Sequence, residues 1–184
     1  MILACGEKVL LRDAVEKDAD AYLRWMKEGE WKKYDAPWED DFIPADEGEI
    51  RKHFFEKFIN DRKTPKSSAI IATKEDRPIG WVIRYTENEF YSVWWVGIDI
   101  CEDAYLGKGY GSEALKLWVD YLFSNSDIHK IALGTYSFNK RMIKVAEKLG
   151  FKLEGVEREV IWWNGEWADR LMFGMLRDEW RSNL

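Results

Sequence analysis

The sequence predicts an α/β domain with a mixed sheet of about seven strands and about four helices. Three observations lead to this fold class. Short apolar runs rich in β-branched residues alternate with segments whose apolar residues recur at helical spacing. A glycine-rich turn, Leu106–Ser112, connects an apolar strand-like run to a helix-like run. Near the end of the chain, Asn164-Gly165 separates two closing strands and is the strongest short hairpin signal available.

The composition indicates a globular protein with one domain over residues 1–184. Hydrophobic residues make up 46% of the chain and charged residues 34%, which is typical of a folded protein with a full core. The formal net charge of −6 disfavours binding to the phosphate backbone of nucleic acid, so we expect no nucleic-acid partner. An acidic surface suits cationic partners such as amines, although it is equally compatible with solubility alone.

Cysteine usage and targeting signals favour the cytoplasm. Cys5 and Cys101 form no CxxC pair, so neither a disulfide framework nor a zinc site is expected. His53 and His129 have no metal-ligand spacing, and we expect no metal. The chain shows no signal-peptide pattern and no apolar run of membrane-spanning length, so we expect no membrane partner.

The first part of the chain contains signals for strands, two helices and an intervening loop. Pro37 and Pro44 indicate that the aromatic and acidic segment Glu30–Asp46 is a loop. The expected elements are strand Glu7–Arg12, a helix capped by Asp18 that buries Tyr22, Leu23 and Met26, a helix that buries Ile50, Phe54 and Phe58, a hairpin of Ser68–Thr73 and Pro78–Tyr85, and strand Tyr91–Ile100.

The rest of the chain alternates between helix and strand signals. Gly150 is expected to end the second helix of this part as its C-cap residue. Trp162, Trp163 and Trp167 flank the final turn; we expect core positions, with a contact between two copies of the chain in a homodimer as the alternative. The expected elements are a helix that buries Leu115, Trp118, Val119 and Leu122, strand Lys130–Thr135, a helix that buries Met142, Val145, Ala146 and Leu149, and two closing strands.

The glycine-rich turn is the main chemical signal. A turn between a strand and a helix presents backbone N–H groups at the helix N-terminus, where the helix dipole also favours an anion. The P-loop pattern G-x-x-x-x-G-K-[ST] is absent, and the dinucleotide pattern G-x-G-x-x-G fails because the glycines are at 107, 109 and 111. The sequence therefore predicts a phosphorylated ligand of another kind.

The turn resembles that of the GNAT acyltransferases, which transfer an acyl group from acyl-CoA to an amine. Their hallmark is Q/R-x-x-G-x-G/A; here both glycines match and Leu106 stands where Arg or Gln is usual. The stretch Tyr105–Ala114 (YLGKGYGSEA) is similar to Y-W-G-K-G-Y-G-T-E-A of the branch that contains the ribosomal-protein N-terminal and spermidine acetyltransferases. Two later blocks are similar to the same branch, Asn139–Phe151 with its EKLGF ending and Glu154–Asp169 with its NGEWAD ending.

The resemblance implies a GNAT fold, acetyl-CoA as co-substrate and specific cofactor contacts. The amides of the turn would hold the CoA pyrophosphate, and the pantetheine arm would run along the preceding strand. Lys108 would contact phosphate, and Asn139 would bond to the pantetheine arm, with a helix cap as its alternative. The implied cofactor-binding residues are Ile98, Asp99, Ile100, Leu106, Gly107, Lys108, Gly109, Tyr110, Gly111, Ser112, Asn139 and Met142.

The acid and the base for the reaction are open. The family's usual acid is a Ser or a Tyr at positions that Met142 and Ala146 occupy here, so Tyr136 and Ser137 are the nearest candidates, and a reaction without a dedicated acid is the alternative. Asp99 is the candidate base, with a solvent-facing or edge carboxylate as its alternative. Further candidate bases, acting through a water, are Glu102, Asp35, Glu39, Asp40 and Asp41.

The acceptor is expected to be a small cationic amine, such as a polyamine or an aminoglycoside, or a protein N-terminus. In this family the loop after the first helix covers the acceptor, and aromatic residues with carboxylates suit a cation. The alternative is a loop that its aromatics anchor on the core. The candidate acceptor residues are Trp31, Tyr34, Trp38 and Glu39. Because the usual acids are missing, the competing function is a CoA-binding sensor or regulatory protein with little catalytic activity.

Overall fold

A computed structural model describes residues 1–35, 38 and 46–182 of the protein. These residues form eight strands and five α-helices, a mixed α/β arrangement as the sequence predicts. The elements are β1 Ile2–Cys5, β2 Val9–Arg12, α1 Asp18–Lys27, α2 Glu47–Phe54, β3 Ser68–Thr73, β4 Pro78–Tyr85, β5 Val93–Ile100, α3 Tyr110–Ser124, β6 Lys130–Tyr136, α4 Lys140–Lys148, β7 Lys152–Trp163, β8 Glu166–Leu176 and α5 Arg177–Ser182.

The chain divides into two compact units, each built from two segments. Met1–Ile83 and Ile98–Tyr121 form the first unit; Arg84–Gly97 and Leu122–Leu184 form the second. In the first unit, strands β1 to β4 pair as an antiparallel series in chain order, and the end of β5 lies beside β4. The Cys101 N–H donates a 2.8 Å hydrogen bond to the Ile79 carbonyl just past the end of β5.

Gly80 permits a close approach between β4 and β5 in the first unit. A Cβ atom at Gly80 would overlap the backbone carbonyl of Asp99. A larger residue at position 80 would therefore push the two backbones apart. This glycine fixes the position of Asp99 relative to β4.

An aromatic cluster fills the core of the first unit. Trp81 of β4 is central, with ring centroids 5.2 Å from Trp31, 5.3 Å from Tyr22 and 5.8 Å from Trp25. The predicted stripe Ile50, Phe54 and Phe58 is buried against it, with 4% exposure or less at each residue. Helix α2 ends at Phe54, and Phe55–Ile59 continues it as a single π-helical turn.

The second unit is organised around β6. The beginning of β5 pairs with it in parallel, and β8 pairs with it in the antiparallel direction and carries β7 on its other side. The Asn164-Gly165 turn joins β7 to β8 with φ of 52° and 84°, the left-handed values that a tight hairpin turn requires. The Arg177 guanidinium donates to three backbone carbonyls, those of Phe123, Ser126 and Ile128.

Most predicted elements are confirmed, and a few predictions are wrong. Glu7–Arg12 is not one strand, because Gly6–Lys8 form a turn between β1 and β2. Asp18 does not cap α1; its carboxylate is buried and forms an ion pair with Arg12 at 2.7 Å. Helix α5 was not predicted. Trp162 and Trp167 are not core residues, since they are 57% and 55% exposed.

The stripe on α3 agrees with its prediction: Leu115, Trp118, Val119 and Leu122 are all 0% exposed. On α4 only Ala146 is fully buried, and the other three predicted core residues of that helix segment are half-buried. Gly150 follows this helix with a φ of 85°, as expected of a C-cap glycine. Among the described residues, no helix is both long enough and apolar enough to cross a membrane.

Candidate active site

The glycine-rich turn connects β5 to α3 in the first unit. A 3-10 turn, Asp103–Tyr105, leads into it, and α3 begins at Tyr110. Gly107 and Gly109 have φ of 70° and 89°, a left-handed conformation that glycine adopts without strain. A Cβ atom at Gly107 would meet no atom of the described chain within 4 Å. The backbone at Gly107 is therefore open to a ligand.

Helix α3 adds hydrogen-bond donors to this turn. It is 15 residues long, and the N–H groups of its first turn have no carbonyl partner inside the helix. These groups and the helix dipole favour an anion at this end. Gly111 lies within the helix, and a Cβ there would be 3.4 Å from the Ile100 side chain. The turn and the helix start together fit a phosphate group.

Asp99 of β5 has a carboxyl group in an unusual environment. Burial raises the pKa of this carboxyl well above its ordinary value, and the charge of Asp35 raises it further. The Lys57 ammonium and a hydrogen bond with the Trp81 side chain act in the opposite direction. Asp99 is nevertheless only half-buried as a residue. A desolvated carboxyl with a raised pKa is typical of a general base.

Lys57 is a charged residue near Asp99 that the sequence analysis missed. It lies in the π-helical turn, and burial lowers the pKa of its ammonium while Asp99 and Asp35 oppose that shift. Its Nζ is 5.6 Å from the centroid of the Phe58 ring. One signal was present in the sequence: position 57 follows Ile50 by seven residues and therefore falls on the buried face of the helix.

Cys101 and Glu102 follow Asp99 closely in the chain and also carry titratable groups, and the role of Glu102 as a base through a water remains a prediction. Burial raises the pKa of the Cys101 thiol well above its ordinary value, so this cysteine is a protonated thiol at neutral pH. The Glu102 carboxylate accepts the indole N–H of Trp25 at 2.9 Å and forms an ion pair with Arg24. Within the residues that the structure describes, no group of three or more His, Cys, Asp or Glu could hold a metal ion.

The candidate acceptor residues have different environments. Trp31 is 8% exposed, and its indole donates to the Trp25 carbonyl at 3.2 Å, so this residue anchors its segment on the aromatic core. Tyr34 and Trp38 are half-buried, and Asp35 is exposed. Glu39 and the candidate bases Asp40 and Asp41 lie outside the described residues. The roles of these residues toward the acceptor remain predictions.

Four predicted site residues lie in the second unit. Tyr136 ends β6, and its ring stacks on that of Phe138 with centroids 5.7 Å apart. The Ser137 hydroxyl accepts the N–H of Asp169 at 3.0 Å. The Asn139 side chain accepts the N–H of Met142 at 3.1 Å and so caps α4. The predicted contacts of these residues with CoA or the leaving group remain predictions.

The family follows from a comparison with known protein families. The family model described as an acetyltransferase (GNAT) domain matches residues 8–152. The chain belongs to the GNAT acetyltransferase family. This acetyltransferase is 26% identical over 178 residues to an uncharacterized N-acetyltransferase, YnaD, of Bacillus subtilis, and the match covers 95% of this chain and 96% of the relative.

Solved structures of low sequence identity share its fold. A GNAT-family acetyltransferase from Bacillus anthracis aligns with a TM-score of 0.77 and 22% identity, covering 97% of this chain and all of the other. Spermidine N-acetyltransferase from Vibrio cholerae, solved in complex with CoA and spermine, aligns with a TM-score of 0.76 and 20% identity, covering 96% and 99%. The predicted GNAT fold is confirmed, and the chain is an acetyl-CoA-dependent N-acetyltransferase.

Proposed function

We propose that this acetyltransferase transfers the acetyl group of acetyl-CoA to a small cationic amine, with Asp99 as the general base. The observation that carries the proposal is the Asp99 carboxyl, whose pKa burial raises while the residue stays partly accessible. A raised pKa strengthens a carboxylate as a base. The acceptor ammonium has a pKa of about 10 and must lose a proton before it can attack.

The charges around Asp99 favour a cationic acceptor. Asp99 and Asp35 carry two negative charges when ionised, and Lys57 supplies one positive charge among the groups that act on Asp99. An ammonium group bound here would balance the remaining charge and favour the ionised form of Asp99. The spermine bound to the Vibrio cholerae structural neighbour is itself a polyamine.

The CoA portion would bind along β5 and the glycine-rich turn. The amides of Leu106–Ser112 would hold the pyrophosphate, because the open backbone at Gly107 and the N-terminal end of α3 fit an anion. The backbone of Ile98–Ile100 would bond to the pantetheine arm as an added strand does. CoA supplies the activated thioester, and every other step uses groups of the protein and the acceptor.

The reaction then needs two proton transfers. Asp99 takes a proton from the acceptor ammonium, directly or through a water, and the neutral amine attacks the thioester carbon. A backbone N–H of β5 would stabilise the developing oxyanion. The C–S bond breaks as the amide forms, and the thiolate leaves with a proton. Its conjugate acid has a pKa of about 8.5, so a weak donor such as Tyr136 or Ser137, or solvent, is sufficient.

The test is release of CoA thiol from acetyl-CoA with four acceptors: spermidine, an aminoglycoside, a free amino acid and a peptide with a free N-terminus. We expect turnover with one of the two cationic small molecules. Asp99→Asn should lower kcat by about 100-fold or more at pH 7. The deficit should shrink toward pH 10, where solvent deprotonates the amine without help.

Asp20→Asn is the matched control, because Asp20 is an exposed carboxylate on α1 whose side chain pairs with Arg51. It should leave kcat unchanged. A loss that persists undiminished at high pH would contradict the role of Asp99 as a base. Turnover with the peptide alone would contradict the small-molecule acceptor. Binding of CoA without turnover on any of the four would support a sensor with little activity instead.

A further inference from the structure

We infer that Lys8, in the turn between β1 and β2, binds the phosphates of CoA at the glycine-rich turn. The Lys8 ammonium donates to the Lys108 carbonyl at 2.9 Å, inside that turn. It also lies 3.3 Å from the position that a Cβ of Gly109 would take, and 5.7 Å from the centroid of the Tyr110 ring. This inference rests on the proposal that the Leu106–Ser112 backbone holds CoA.

The lysine within the turn has a different orientation. The Lys108 ammonium donates to the carbonyl of Ala104 at 2.6 Å, four residues earlier, and therefore bends back toward the preceding 3-10 turn. The lysine whose ammonium reaches the left-handed Gly109 comes instead from a hundred residues earlier in the chain. An ammonium has three N–H donors, so Lys8 can bond to the Lys108 carbonyl and to a phosphate oxygen together.

The position of Lys8 is held by the fold. Glu113, in the first turn of α3, accepts the backbone N–H of Lys8 at 2.9 Å and also that of Glu7. The carboxylate is thus used to fix the backbone of the β1–β2 turn against the start of the helix. Lys74 adds a third ammonium, which donates to the Gly6 carbonyl at 2.9 Å. Lysines therefore gather at this point of a chain with a net charge of −6.

The electrostatics of this arrangement indicate an anion. The N-terminal end of α3 carries a partial positive charge, and the Glu113 carboxylate in its first turn already offsets part of the positive charge there. Lys8 is held beside the start of α3, and Lys108 precedes that start by two residues. A phosphate bound to the amides of the turn would meet the helix end and the Lys8 ammonium at once, and both would attract it.

The experiment measures binding by calorimetry with CoA and with dephospho-CoA, which retains the pyrophosphate and lacks the 3′-phosphate. Lys8→Met should lower the affinity for both ligands by about tenfold, because an ionic hydrogen bond to the pyrophosphate that both contain is lost. Lys8→Arg should restore most of the affinity. Lys108→Met should have a smaller effect than Lys8→Met, because its ammonium is directed to Ala104.

Lys63→Met is the charge-matched control. The loop that carries Lys63 contacts α3 through Lys66, whose backbone N–H donates to the Tyr121 hydroxyl. Tyr121 is eleven residues beyond the start of α3 and therefore about 16 Å along the helix axis. This variant should bind both ligands as the unmodified chain does. The unfolding temperature of ligand-free Lys8→Met should fall only slightly, because the exposed ammonium loses its hydrogen bond to the Lys108 carbonyl, whereas a large fall would indicate a mainly structural lysine.

Each result decides a separate point. Unchanged affinity in Lys8→Met, with normal CoA binding by the unmodified chain, would overturn the role of Lys8 alone. A loss confined to CoA would overturn its assignment to the pyrophosphate. Failure of the unmodified chain to bind CoA would overturn the proposed CoA site, and this inference with it. An equal loss for both ligands supports the inference.

Discussion

The backbone N–H of Lys8 donates a 2.9 Å hydrogen bond to the carboxylate of Glu113, 105 positions later in the chain. The N–H of Glu7 donates to the other oxygen of the same carboxylate. Hydrogen bonds to an ionised group are stronger than those between neutral groups. We expect Glu113→Ala to lower the free energy of unfolding by about 1–3 kcal/mol, as measured by urea denaturation at pH 7.

Glu147→Ala is the control for this prediction, because Glu147 is an exposed glutamate in the last turn of α4. Its replacement should change stability by less than about 0.5 kcal/mol. The affinity for CoA should also fall in Glu113→Ala, since Lys8 is no longer held beside the turn. Equal stability of the two variants would argue against the anchoring role of Glu113.

Asp99→Asn should stabilise the protein at neutral pH. The pKa of Asp99 is raised in the folded state, mainly by burial, so the folded protein binds its proton more tightly than the unfolded chain does. The protonated carboxyl contributes fully to the stability of the fold below its ordinary pKa of about 3.9. This contribution is lost as the pH rises through the higher pKa of the folded state. We expect the free energy of unfolding of Asp99→Asn to exceed that of the unmodified chain by roughly 1 kcal/mol or more at pH 7.

The measurement is urea denaturation of both proteins at several pH values between 4 and 8. The gain of Asp99→Asn should shrink as pH falls, because the native carboxyl then becomes neutral like the amide. Asp20→Asn should show no such trend. A gain of constant size across this range would contradict the raised pKa as its cause.

Lys57→Met should shift the pH dependence of catalysis. The Lys57 ammonium lowers the pKa of Asp99, so its removal should raise that pKa further. The acid limb of kcat/KM, which reports the base of the free enzyme, should move to higher pH. Lys52→Met, which removes an exposed lysine of α2, should leave the profile in place. A lower rate with an unmoved acid limb would count against this coupling.

Gly80→Ala should destabilise the protein and disturb Asp99. The added methyl group would overlap the Asp99 carbonyl, which belongs to the backbone and has no rotamer to escape into. We expect a loss of about 2 kcal/mol or more and a lower kcat. Gly134→Ala is the control, since its nearest atom would be an ordinary 3.8 Å away on Trp95. The measurement is thermal unfolding of both variants. Equal unfolding midpoints would count against the close approach of the Asp99 backbone to Gly80.

Local sequence patterns correctly predicted elements such as an amphipathic helix and a tight turn. The stripe on α3 and the Asn164-Gly165 turn were predicted because each depends on a few adjacent residues. The β1–β2 hairpin was missed because Ile2–Cys5 is a short edge strand that is partly exposed on both sides, with no alternation to reveal it. Lys8 was therefore assigned to the interior of a strand.

The site was harder to predict, because some of its residues come from distant parts of the chain. Asp99 and the glycine-rich turn are carried by one continuous segment, and both were identified from the sequence. Lys57 and Lys8 reach them only through tertiary packing, from the π-helical turn and from the β1–β2 turn. Tertiary contacts of this kind leave at most a faint mark in a single sequence, such as a lysine on an otherwise apolar helical face.

The link between Lys8 and Glu113 also bears on synthesis of the chain. A ribosome that has released the β1–β2 hairpin must still add about a hundred residues before the carboxylate that holds it exists. At 5–20 residues per second, this interval lasts roughly 5–20 seconds. During that time the N-terminal hairpin has no docking partner on α3. Capture of the nascent chain by immobilised CoA would therefore begin only after this helix has emerged. The onset of CoA binding would then mark the last stage of assembly of the first unit.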